Sequence, residues 1–178
     1  MVRQSASEVL RSLKKDSRFR RLNDAFNELP IYRIPIDNLL DEIEHLHKTR
    51  PVRTLNPEDG KFVDRAISAC VRDQSIRSRC AEINVMCIKA RSSLEKATTK
   101  LREYMLIRYS SDISMFRTKE ERVIVINTAM STFLQFIHRV STIEACTAVI
   151  IEDIDKAAWM FKGIVSAYGL HNASEKFS

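Results

Sequence analysis

The chain has 178 residues, a net charge of +6, and hydrophobic and charged fractions (44% and 29%) that are ordinary for a soluble protein. This length holds one domain, or one domain with an appendage. There are only three glycines, the four prolines are confined to Pro30, Pro35, Pro51 and Pro57, and strand signals are weak, so long helices are expected after Pro57. With no apolar leader core and no run of about 18 apolar residues, the protein is expected to be soluble and cytoplasmic, with no membrane partner.

Residues 1–29 carry a helical period in Val9, Leu10 and Leu13, then in Phe19, Leu22, Ala25 and Phe26, which predicts one or two short helices. Lys14, Lys15, Arg18, Arg20 and Arg21, joined by Arg11, are interleaved with Phe19. This is either a phosphate-contacting N-terminal basic arm or the charged face of a surface helix. Leu29-Pro30 stops the segment, and Ile31–Pro35 reads as an extended linker, because the residue before proline avoids the α region. Asp37 is placed to cap a helix through about His47, whose apolar face is Leu39, Leu40, Ile43 and Leu46. Thr49–Leu55 is a predicted loop.

The rest of the chain predicts an all-α fold built on a long antiparallel helical hairpin, with arms at about 57–109 and 119–168. On this reading residues 1–55 form an N-terminal region of short helices and a basic arm, 56–170 the hairpin and oligomerisation domain, and 171–178 a tail. Asn56 suits the N-cap and Pro57 the first helical position, with Glu58 and Asp59 in the first turn. Phe62, Ala66, Ala69, Ile76, Cys80, Ile83, Cys87, Ala90, Leu94, Ala97, Leu101 and Tyr104 then recur at alternating steps of three and four, with one miss at Asp73. After a polar break at Ser110–Thr118, a Thr118–Glu121 capping box opens the second arm. Its stripe is Ile126, Ala129, Phe133, Phe136, Val140, Ile143, Ile150, Ile154, Ala157, Phe161, Ile164 and Tyr168, with one miss at Thr147. Gly169 marks the expected end. A heptad held for about six repeats in each arm is a coiled-coil pattern, and each stripe spans roughly 64 Å. The small side chains of the first arm face the phenylalanines and isoleucines of the second.

More surface is apolar than one seam uses. Ile67, Val71, Ala81, Val85 and Ile88, continued by the small Ser78 and Ser92, lie nearly opposite the first-arm seam, and Met130, Ile137, Ile151, Ala158 and Val165 widen the second. Left exposed, such stripes exceed what a soluble monomer usually tolerates, so self-association into a bundle or ring is expected.

Charge is uneven. Residues 1–56 carry +3, 57–110 carry +4 and the remainder −1. Arg72 and Arg79 repeat with Arg65 at seven-residue spacing, and Lys89, Arg91, Lys96 and Lys100 follow. These are candidates for a groove that tracks nucleic-acid phosphates, or they serve helix pairing and solubility. No phosphate-binding glycine loop, nucleophile elbow or zinc-protease motif is present, so the chain is not expected to be an enzyme and no cofactor is expected. Cys70, Cys80, Cys87 and Cys146 form no C-x-x-C pair, and His45-x-His47 is isolated. Metal binding is not expected.

At Ile88-Lys89-Ala90-Arg91 the chain resembles the UvsY recombination mediators of tailed bacteriophages, whose motif reads Leu-Lys-Ala-Arg late in a long basic helix followed by a second long apolar helix. The architectural likeness covers roughly residues 62–170, and the K-A-R run is the match by residue. The resemblance implies an all-helical, ring-forming protein of the host cytoplasm that binds single-stranded DNA. It would help to load a RecA-like recombinase onto strands coated by a single-strand binding protein, with Lys89 and Arg91 as the DNA-contacting pair. The expected function is therefore a non-catalytic single-stranded-DNA-binding accessory protein. The alternative is a phage structural or assembly protein, such as a small-terminase-like packaging-ring subunit or a helical virion adaptor. In that case the N-terminal basic arm does the DNA work.

Overall fold

The computed structural model describes residues 6–28, 34–51, 61–114 and 118–175, and the fold over them is all-α, with no strand among the described residues. Seven helices follow in order: α1 (Ala6–Lys15), α2 (Ser17–Asn27), α3 (Ile36–Lys48), α4 (Phe62–Arg108), α5 (Ser110–Ser114), α6 (Lys119–Ala129) and α7 (Ser131–Glu175). The contacts divide the chain into two compact units. One comprises residues 1–36 and 88–141, and the other residues 37–87 and 142–178. α4 and α7 each supply a segment to both.

In the first unit, α1 and α2 lay their apolar faces on the end of α4, on α6 and on the start of α7. Val9, Leu13, Phe19, Leu101, Met105, Val125, Met130 and Phe133 form its core, each 5% exposed or less. Asp16 makes the corner between the first two helices. Its carboxylate accepts the backbone N–H groups of Arg18 (2.7 Å) and Phe19 (3.0 Å), which caps α2, and it also accepts the Tyr109 hydroxyl. That hydroxyl is the main cause holding the Asp16 carboxyl below the ordinary carboxylate range, and the two backbone N–H groups add to it. The expected Thr118 capping box is formed: Glu121 N–H donates to Thr118 Oγ1 (3.1 Å), and Thr118 N–H donates to Glu121 Oε2 (3.3 Å).

In the second unit, α3 packs with the first part of α4 and the later part of α7. Leu39 and Ile43 of α3 are buried, as are Ala66, Ala69, Cys80, Ile83 and Cys87 of α4 and Ile143, Ile150 and Ile154 of α7. Phe62 and Phe161 approach with ring centroids 6.3 Å apart. The two misses in the heptads are buried here. Thr147 is fully buried; its hydroxyl lies 3.0 Å from the Ile143 carbonyl and accepts from Asn84 Nδ2 at 2.8 Å. Asp73 is 2% exposed and accepts two bonds from the Arg50 guanidinium, from Nε at 3.2 Å and Nη2 at 3.0 Å.

The structure revises several boundaries. The second arm is two helices rather than one, parted at Met130, whose φ of −103° and ψ of 11° break the α geometry for a single residue. The polar break after Tyr109 contains the short helix α5. Gly169 does not end the last helix, which runs on to Glu175. The predicted start at Asn56-Pro57 lies outside the described residues. By length and composition α7 is also apolar enough over Ser131–Ala167 to cross a membrane, with a mean hydropathy of 1.2. A search for an unbroken apolar run misses this, because Arg139, Glu144 and Glu152 interrupt it. The inward residues of α7 (Phe133, Val140, Ile143, Ile150 and Ile154) are buried within their units.

Candidate nucleic-acid interface

Lysine and arginine cannot be buried cheaply, so the helices that carry them turn them outward and spend their apolar faces on the core. In the first unit this leaves a strongly basic exterior. The unit holds 18 Lys and Arg against nine Asp and Glu, a net charge of +9, whereas the second unit has 11 against 14, a net charge of −3.

Lys89, Lys96 and Lys100 fall at i, i+7 and i+11, on one face of α4, spanning about 16 Å. All three are exposed. Tyr104 lies one turn past Lys100 on the same side, and the Arg18 guanidinium of α2 sits over its ring, 5.9 Å from the centroid. The N-terminal basic arm and the lysine line of α4 therefore meet within one unit. Arg91 lies on the other side of the seam residue Ala90, with Nη1 3.5 Å from Glu95, so Lys89 and Arg91 do not form one clamp.

Between α1, α2 and the start of α7 lies a cavity of about 250 Å³, lined by Lys14, Arg20, Asn23, Thr128, Ser131 and Thr132 along with apolar side chains. It combines two cations, an amide and three hydroxyls. These are the groups that hold a phosphate. Arg20 also donates to the Lys15 carbonyl at 3.2 Å, which holds its guanidinium against the helix corner. Lys15 and Arg21 are exposed beside it. Asn23, Thr128, Ser131 and Thr132 have no charge or motif to mark them in the sequence. Only the packing of α1 and α2 on α6 and α7 collects them.

Three arginines of the second unit, Arg50, Arg77 and Arg79, are paired with carboxylates. Arg79 donates from Nε to Glu42 (2.7 Å) and from Nη1 to Glu82 (3.1 Å), which pushes its pKa above the ordinary value. Arg77 pairs with Asp155 at 2.7 Å. Arg72 is exposed in the same unit. The predicted basic residues thus divide: Lys14, Lys15, Arg18, Arg20, Arg21, Lys89, Arg91, Lys96 and Lys100 share one unit, while Arg72 and Arg79 belong to the other.

No three His, Cys, Asp or Glu side chains gather as a metal-binding group among the described residues. Burial holds the Cys80 and Cys87 thiols above their ordinary pKa, in the neutral form. Comparison with protein-family models, with curated proteins and with solved structures found no match to this chain.

Proposed function

We propose that the chain is a non-catalytic single-stranded-DNA-binding accessory protein that holds the phosphate backbone with its basic unit. The observation that carries the proposal is the +9 charge of that unit, with cations lining a cavity and along one face of α4. Binding of this kind is electrostatic and sequence-independent. No exposed aromatic row accompanies the cations among the described residues, so phosphates rather than stacked bases supply the contacts. Loading a RecA-like recombinase, as the UvsY resemblance implies, is the role proposed for such a protein.

The test is fluorescence anisotropy with a labelled oligothymidylate over a series of salt concentrations. Wild-type protein should bind at low salt and weaken steeply as salt rises. Lys14→Ala with Arg20→Ala, and separately Lys89→Ala with Lys96→Ala and Lys100→Ala, should each weaken binding and flatten the log–log salt slope by about 0.7 per lost phosphate contact. All five side chains lie outside the core, so circular dichroism should not change. An absence of binding at low salt, or full binding by both variants, refutes the proposal. The rival packaging-ring role puts DNA binding in the N-terminal arm alone and predicts that only the first variant fails. Deleting residues 1–53 is a poorer discriminator, because Val9, Leu13 and Phe19 belong to the core of the same unit.

A further inference from the structure

The cavity of about 250 Å³ in the first unit is a recess rather than a groove. α1, α2, α6 and α7 each give it a wall, and the buried side chains of Leu13 and Phe19 back it. All of its lining residues belong to that one unit. Lys14 enters from α1, Arg20 and Asn23 from α2, and Ser131 and Thr132 from α7. Among the described residues that line it, none is acidic.

Shape and charge here separate two kinds of phosphate. A phosphate inside a strand is a diester, with one negative charge and a nucleotide on each side, so both neighbours must pass the walls. A phosphate at a strand end is a monoester. It carries about −1.5 to −2 charges and three peripheral oxygens, and a nucleotide lies on one side only. Two cations with no carboxylate between them match the larger charge, and the apolar backing strengthens the attraction. The donors match as well. Lys14 offers its ammonium N–H groups, Asn23 its amide, and Ser131 and Thr132 their hydroxyls. Arg20 donates from Nη2 to the Lys15 carbonyl at 3.2 Å, which leaves its other guanidinium N–H groups. The Thr128 hydroxyl donates to the Ile124 carbonyl at 2.8 Å and adds no donor. The volume falls below the roughly 300–1,000 Å³ of pockets that take a whole drug-sized molecule. A phosphate and its sugar enter, and the base stays outside, so the end is read without regard to sequence.

We infer that this cavity takes the terminal phosphomonoester of a DNA single strand, while the lysine line of α4 holds backbone phosphates. The inference rests on the DNA-binding reading above and adds to it a preference for phosphorylated ends.

Fluorescence anisotropy on the full chain tests it, with short oligothymidylates labelled at one end and carrying a phosphate or a hydroxyl at the other. At fixed ionic strength a terminal phosphate should tighten binding about tenfold over the unphosphorylated strand. Strands phosphorylated at the 5′ end and at the 3′ end, compared side by side, identify which end enters. The preference should disappear in Lys14→Ala with Arg20→Ala. It should also disappear in Ser131→Asp, which keeps both cations and sets a carboxylate beside them at an exposed position. It should survive Lys89→Ala with Lys96→Ala and Lys100→Ala, which weakens all strands alike. Circular dichroism should be the same for every variant. Equal affinity of the wild type for phosphorylated and unphosphorylated strands, or a preference that persists in both cavity variants, overturns the inference and leaves DNA binding standing. Binding of no strand at all overturns both.

Discussion

Replacing Asp73 by alanine tests what the break in the first heptad is for. In the folded protein the Arg50 guanidinium is 4% exposed, and its two bonds to Asp73 (3.0 and 3.2 Å) are its closest charge contacts. Asp153 stands further off, with its carboxylate 3.6 Å from Nη1 and its side chain 43% exposed. Removing Asp73 strands a buried cation, and breaking a buried pair in this way costs about 3–5 kcal/mol. The residual contact with Asp153 places the expected loss near the low end, about 3 kcal/mol. Against a typical stability of about 5–15 kcal/mol this is a large fraction. With a urea dependence of about 1–3 kcal/mol per molar, the unfolding midpoint should fall by roughly 1–3 M. The pair itself is worth much less than its breakage suggests. Asp73 Oδ1 is buried without a hydrogen-bond partner, which costs about 1–3 kcal/mol, and both ions pay for desolvation. Arg50→Met with Asp73→Leu should therefore be about as stable as wild type, or more so. Urea melts followed by circular dichroism compare the wild type with both variants. If Asp73→Ala lies within about 0.5 kcal/mol of wild type, or if the double variant is as unstable as the single one, the burial argument fails.

Acid should weaken the first unit through Asp16. Its carboxyl titrates below the ordinary range when folded, chiefly because it accepts the Tyr109 hydroxyl. The stability it contributes is therefore complete above the unfolded carboxylate value of about 3.9 and is lost as pH falls through the lower folded value. Asp16→Asn should reduce the drop in urea midpoint between neutral pH and about pH 3, and an unchanged drop would remove Asp16 as a cause. Thr118→Ala should cost about 0.5–2 kcal/mol by opening the capping box, with faster amide exchange at Glu121; unaltered exchange there would show that the cap is idle.

The seam was legible in the sequence because side-chain period and helix geometry are the same fact seen twice. Of the twelve first-arm seam positions, Ala66, Ala69, Cys80, Ile83, Cys87, Ala90, Leu94 and Leu101 are buried, and the others are half-buried. The breaks in the pattern were visible but not their meaning. Threonine can sit inside a helix seam because its hydroxyl returns to a carbonyl one turn back, as Thr147 does, so polarity at that position does not imply exposure. Asp73 is buried only because Arg50 reaches it from outside any helix, 23 residues earlier in the chain, and no local pattern signals that meeting. The division at Met130 carries no proline or glycine to announce it.

The basic site was half legible, and the missing half was tertiary. Windows along the chain showed charges of +3, +4 and −1, a modest slope that fits solubility as well as nucleic-acid binding. Folding joins residues 1–36 to 88–141 in one unit, which turns that slope into a unit of +9 and a unit of −3. Consecutive arginines such as Arg20 and Arg21 point to different sides of a helix, so the sequence alone could not make a patch of them. α2 resolves the difficulty by crossing the end of α4: Arg18 goes to Tyr104, and Arg20 goes to the cavity with Lys14. In the second unit Arg79 meets Glu42 and Glu82, and Arg77 meets Asp155. The candidate site is thus set by which basic residues the fold gathers into one unit, a selection that spacing along one helix does not reveal.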